Sequence, residues 1–298
     1  MNFEAASSST TYEKTIPVPR RWLRRATDWI GYAGLGVLII LIVMALFPSV
    51  FAPYDPSERV GLPLQRPSQE FLLGTNDIGQ DLFSELITGT RISLATGMVV
   101  ALLAVGFGTA IGVLSGYSNG ALRSALVRLM DLILVLPFLP LVILLSSYLG
   151  PSQKNVVFVL ILFYWAVPAR LIYSKVLSLQ NELYVEAARA IGAAPLQIMV
   201  KHILPGLRSL IIVQMILVSS ASILAEASIS FLGLGDPSVK SWGTMLYFAR
   251  ASGAFLNDAW LWWVVPTGAM LTLTILSLVL VGFSLEQRFE PGLRHRKW

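Results

Sequence analysis

Six stretches of this 298-residue chain are apolar over about 20 residues, the length needed to cross the hydrocarbon core of a bilayer. They cover residues 30–52, 92–116, 126–149, 156–173, 210–234 and 261–283. Backbone groups in lipid must bond internally, so each is read as a helix. Composition agrees: 55% of residues are hydrophobic and 13% charged, against about 45–50% and 25% in soluble domains. Mean hydropathy is +0.69. These values exclude a soluble enzyme, a disordered chain and a fibrous one, and the sequence predicts an all-α, polytopic membrane protein with six transmembrane helices. Pro137 and Pro140 in the third span and Pro168 in the fourth predict kinks.

Orientation follows from lysine and arginine. With the N-terminus in the cytoplasm, 16 of the 22 basic residues fall on the cytoplasmic side, which sets both ends inside. The net charge of +5 is therefore read as membrane topology and not as nucleic-acid binding. Residues 1–25 form a cytoplasmic tail, largely disordered and rich in Ser and Thr at its start; 26–298 form the membrane domain. A signal-peptide reading of the first span is rejected because its apolar run is too long and Pro53 follows the only plausible cleavage point. Segments 53–91 and 235–260 lie outside, and 174–209 is the main cytoplasmic loop. Ser118, Asn119 and Gly120 predict a tight turn between the second and third spans. With no cysteine and only His202 and His295, no metal-thiolate or multi-histidine site is expected; His202 reads as a surface or interface residue.

The cytoplasmic loop predicts two short helices. Glu186, Ala187 and Ala188 open helix-forming sequence; Gly192 ends it; Pro195 suits the first turn of the next helix. Leu196, Met199 and Val200 share one apolar face, and Pro205 is expected to stop the segment. Ala187 and Ala188 are expected to be exposed, letting another surface approach closely. The spacing of Glu186-Ala187-Ala188, Gly192 and Leu204-Pro205 resembles the EAA motif of ABC importer permeases, with His202 where isoleucine is usual. That resemblance implies a type I ABC importer permease fold. It also implies that this loop, through Glu186, Ala187, Ala188, Gly192, Ala193, Pro195, Leu196, Met199, Leu204 and Pro205, docks on an ATPase subunit.

Two outer blocks extend the likeness. Gly74, Thr75, Asp77, Gly79 and Asp81 precede the second span, where the two aspartates are expected to cap helix starts. Gln80 stands where the related block has arginine. Glu226, Ser230, Phe231, Gly233 and Gly235, followed by Trp242, close the fifth span. Glu226 must face protein or water, or lie near a span end. These blocks resemble the dipeptide/oligopeptide/nickel permease family, in particular its C-type subunit. The resemblance implies that they face the pathway or a binding protein. It further implies two ABC ATPases or a heterodimer carrying ATP and Mg, a second homologous permease, and an extracytoplasmic substrate-binding protein.

No G-x-x-x-x-G-K-[ST] loop occurs, so the chain is not expected to bind nucleotide by that device, to carry a cofactor or to be an enzyme. Peptides are the expected cargo. Nickel or metal chelates, glutathione-like compounds and oligosaccharides remain alternatives. A secondary transporter driven by an ion gradient is the competing class; only Asp131 and Glu226 lie near the depth its carboxylates would need. The tryptophans of 260–263 are read as interface anchors.

Overall fold

The computed structural model describes residues 20–289, with side chains from 29 to 288. The tail 1–19 and the C-terminal 290–298 lie outside the described residues, so the expectation of disorder at 1–19 falls there. α1 already begins within the segment read as tail. It runs Arg20–Leu46, followed by α2 (Pro48–Phe51), α3 (Leu82–Tyr117), α4 (Gly120–Val135), α5 (Phe138–Leu149), α6 (Gln153–Tyr164) and α7 (Ala166–Leu179). The chain continues through α8 (Leu183–Ala190), α9 (Pro195–Ile198), α10 (Arg208–Phe231), α11 (Trp242–Ala251) and α12 (Val264–Phe289). Among the described residues no strand occurs beyond one isolated bridge, Thr75 to Asp81.

Five helical stretches are long and apolar enough to span a membrane, and the α4–α5 pair makes six. The kink expected in the third span is present in that pair and is sharper than a kink, because its halves meet at 88°. The break falls at Pro137. Its ring disfavours helix at the preceding residue, and Leu136 sits extended at φ −68°, ψ 137°. Pro140 breaks nothing, because it lies in the first turn of α5, where backbone N–H groups have no helical partner anyway. Pro168 sits in the same place in α7, so residues 153–179 run on as one 27-residue span. The first span also ends early, at Leu46, because Pro48 starts a new short helix.

α3 is the central strut, packed against α1, α4, α6, α7 and α10. It meets α7 along Gly108, Gly112 and Gly116, each facing Trp165–Val176 at backbone distance. Small residues at every fourth position let the two helices close, which is how helices associate where lipid supplies no hydrophobic drive. The turn Ser118–Asn119 reverses the chain into α4 as expected. Arg123 ties that corner by donating to the carbonyls of Ser118 (2.7 Å) and Gly116 (3.2 Å). One end of the bundle therefore carries Tyr117 and the 183–207 segment, and the other carries 53–81 and 236–263.

Candidate functional site

The 183–207 segment is built from the inside out. Val185, Ala188, Ile198, Ile203 and Leu207 are buried against Ile172 and Val176 of α7. Burying these side chains fixes α8 and α9 on the foot of the bundle. Ala188 thus faces the core, which corrects its expected exposure: helical spacing puts it one turn from Val185 on the inner face. Glu186 and Ala187 remain exposed, and Glu186 pairs with nothing among the described residues. Its place in the first turn of α8 suits the helix dipole.

Gly192 ends α8 with φ +83°. Its N–H bonds to Arg189 O (3.0 Å) and that of Ala193 to Ala188 O (3.1 Å), the paired bonds of a Schellman cap. Pro195 then occupies the first turn of α9. Pro205 does not stop the segment, contrary to expectation. It has no N–H for an α-type bond, and the chain switches to a π turn at Met199–Ile203 and a 3-10 turn at Leu204–Leu207. The rod then runs into α10, so residues 195–231 form one continuous body. His202 lies in the π turn and is half-buried. Pro195 and Leu196 are exposed; Ala193, Met199 and Pro205 are half-buried; Leu204 reaches the surface. Leu183 (82% exposed), Ile191 (86%), Leu196 (68%) and Val200 form an apolar surface at the bundle's foot. Such a patch marks a contact with another protein or with a membrane.

The opposite end is a polar cap. Asp81 caps α3 as expected, accepting from Ser84 N at 2.8 Å. Asp77 caps no helix; Asn76 does the local work, accepting from the N–H groups of Ile78 (3.0 Å) and Gln80 (2.9 Å). Thr75 Oγ1 donates to Leu62 O (2.6 Å) and accepts from Gln65 N (2.9 Å). Glu85, 2% exposed, forms an ion pair with Lys240 of the other outer segment and accepts from Asn76 Nδ2 at 3.1 Å. Lys240 also donates to Gln80 Oε1 at 2.7 Å. Asn76, Gln80, Glu85 and Lys240 therefore join the segments 53–81 and 236–263 to the start of α3, and none was singled out as a site from the sequence.

Glu226 is fully buried, as its depth required, and accepts from Ser230 Oγ and Ser241 Oγ, both at 2.8 Å. Trp242 is enclosed and donates from Nε1 to Leu86 O at 3.2 Å. Trp263 is core and not an interface anchor; Trp260 alone of that cluster is exposed. Asp236, outside the spans, accepts from the hydroxyl (2.6 Å) and N–H (3.0 Å) of Ser238, which hold its carboxyl below the usual range. Of the outer residues picked from sequence, Gly74, Thr75, Gly79, Asp81, Glu226, Ser230, Gly235 and Trp242 are buried. Asp77 and Phe231 are half-buried, and Gly233 is exposed.

The comparison with known families decides what this assembly is. The family of inner membrane components of binding-protein-dependent transport systems matches residues 108–295. The chain belongs to that family. Residues 21–71 match the N-terminal transmembrane domain of oligopeptide transport permease C. The chain is 34% identical to the di/tripeptide transport system permease DppC of Pseudomonas aeruginosa, over 99% of this chain and 98% of that protein. It is 32% identical to the glutathione transport system permease GsiD of Pectobacterium atrosepticum (95% and 94%) and 31% to the oligopeptide transport permease OppC of Bacillus subtilis (91% and 88%). The family is one of transport permeases and not of catalytic enzymes. This permease carries its EAA-like loop and the blocks at 74–81 and 226–242 on opposite ends of one helical bundle.

Proposed function

We propose that this permease forms half of the translocation pathway of an ATP-driven peptide importer in the cytoplasmic membrane, with both termini inside. The observation that carries the reading is the 183–207 segment: an exposed apolar surface packed on α7, whose 195–207 part runs on into α10. A push on that surface moves two spans together, which is what a subunit without a nucleotide site needs to use a partner's ATP. ATP and Mg belong to two ATPase subunits, and a second permease completes the pathway. An external binding protein delivers cargo to the outer cap. Nucleotide-driven closure then stabilises one of two states of the bundle over the other. The glutathione permease relative keeps a small peptide-like cargo as the second reading.

Gly192 offers the direct test. A Cβ there meets no atom within 4 Å, so the cost of a side chain is conformational alone. At φ +83° an L-residue costs about 1–2 kcal/mol. Gly192→Val is expected to leave the protein in the membrane while transport per ATP hydrolysed falls about tenfold, the factor that corresponds to 1.4 kcal/mol. Uptake of a labelled tripeptide and phosphate release, measured on the same reconstituted complex, check this. Unchanged transport per ATP contradicts the coupling role.

A further inference from the structure

Charged side chains at membrane depth avoid hydrocarbon and face water or protein. Asp131 lies 11 residues into α4, about 16 Å along the helix, and Arg170 lies nine residues before the end of α7, about 14 Å. Both are well inside the bundle from the end that carries Tyr117. Arg170 Nη1 is 3.2 Å from Asp131 Oδ1, and the two side chains are 44% and 50% exposed. The guanidinium also lies over the Tyr173 ring at 5.6 Å. The pair is formed yet half of it is uncovered by this chain.

Other polar residues lead to it. Ser124, Arg128 and Asp131 recur at i, i+4 and i+7 on α4, and Arg170, Ser174 and Ser178 at i, i+4 and i+8 on α7. All six are exposed. α7 runs alongside α3 in the same direction, and α4 runs back from it. The two polar stripes are therefore antiparallel, and both run from the 183–207 end inward to the ion pair. Apart from Arg123, which is tied to the Ser118 corner, the rest of α4 is apolar: Leu122, Leu129, Leu132, Leu134 and Val135 are exposed hydrocarbon.

We propose that this α4–α7 seam lines the water-filled pathway on the side of the 183–207 segment, and that Asp131 and Arg170 are contact points for the charged ends of a peptide in transit. The proposal rests on the peptide-permease reading. Arginine's planar fork matches a terminal carboxylate, and the aspartate accepts from a terminal ammonium. With no cargo present the two ions neutralise each other, so neither holds a counter-ion that would block passage.

The chain has no cysteine, so one introduced thiol reports one position. Asp131→Cys, Arg170→Cys and Ser174→Cys are compared with Ile40→Cys, on the exposed face of α1, in the full complex in inside-out membrane vesicles. The probe is a charged, membrane-impermeant methanethiosulfonate. Only a hydrated thiol ionises readily, so the three seam positions should label at least about tenfold faster than Ile40→Cys. Ser174→Cys leaves the ion pair intact and guards against a folding defect. If Ser174→Cys labels no faster than Ile40→Cys, the seam faces lipid or a sealed protein contact and the proposal falls. Arg170→Met should slow uptake of a free-acid tripeptide about tenfold relative to its C-terminal amide, as expected for one lost charge-assisted bond. Equal slowing of both cargoes overturns the contact role. A wild-type complex that moves no peptide overturns the peptide contact along with the functional reading, whereas thiol labelling still decides whether the seam holds water.

Discussion

Gly112→Leu is expected to abolish folded permease. A Cβ at Gly112 would stand 2.7 Å from Ala169 O and 2.8 Å from Ile172 side-chain carbons, and the first of these is backbone. The helices would have to part, and Gly108 and Gly116 lie on the same line of contact, with built Cβ positions 2.6 Å from Trp165 O and from Val176. Overpacking by a few methylenes costs about 1–3 kcal/mol in a core that can shift. Here the neighbour is backbone, and the contact between helices in lipid depends on close approach. Gly106→Leu is the control on the same helix, since a Cβ there meets nothing within 4 Å. Size-exclusion yield of monodisperse protein in mild detergent should collapse for Gly112→Leu and stay near wild type for Gly106→Leu. Equal losses would mean that α3 tolerates no bulk anywhere and that the glycine line is not the cause.

Lys240→Met should destabilise the outer cap by about 3–5 kcal/mol, the cost of leaving a buried partner ion without its counter-charge. Glu85 is 2% exposed and the Lys240 side chain 19%, so solvent screens the pair little. The double variant Lys240→Met/Glu85→Gln should recover much of the loss, because the orphaned charge is gone while Asn76 can still donate to the remaining carbonyl. Thermal midpoints of wild type, both singles and the double close the cycle and isolate the pair. Additive losses would show that Lys240 and Glu85 act independently. The outer ion pair Arg66–Asp258, with side chains 75% and 68% exposed, should change stability little when broken.

The sequence made the spans and the 183–207 segment legible because both depend on local pattern. A run of apolar residues needs no partner to be recognised. Gly192 and Pro195 each have one conformational use that their spacing reveals. The 88° break was not legible in full. Pro137 announces a disturbance, but the angle goes with α5 burying Val142 against Val156, Val159 and Leu160 of α6 instead of continuing α4. Ala188 was misplaced because a small residue reads equally well as a contact surface or as packing. The outer cap was hardest, since Glu85 and Lys240 are 155 residues apart and no local signature links them. The glycine line on α3, by contrast, was present in the spacing of Gly108, Gly112 and Gly116 and needed only to be read as a packing face.

The central claim is that this chain moves cargo with energy taken from a partner through its 183–207 surface. Gentle extraction from the native membrane, with mass spectrometry of the co-purifying proteins and tripeptide uptake by the same preparation in proteoliposomes, tests it most directly. The account predicts stoichiometric ATPase subunits and a second permease, with uptake that requires ATP. A chain that purifies alone and still carries peptide down an ion gradient would contradict it.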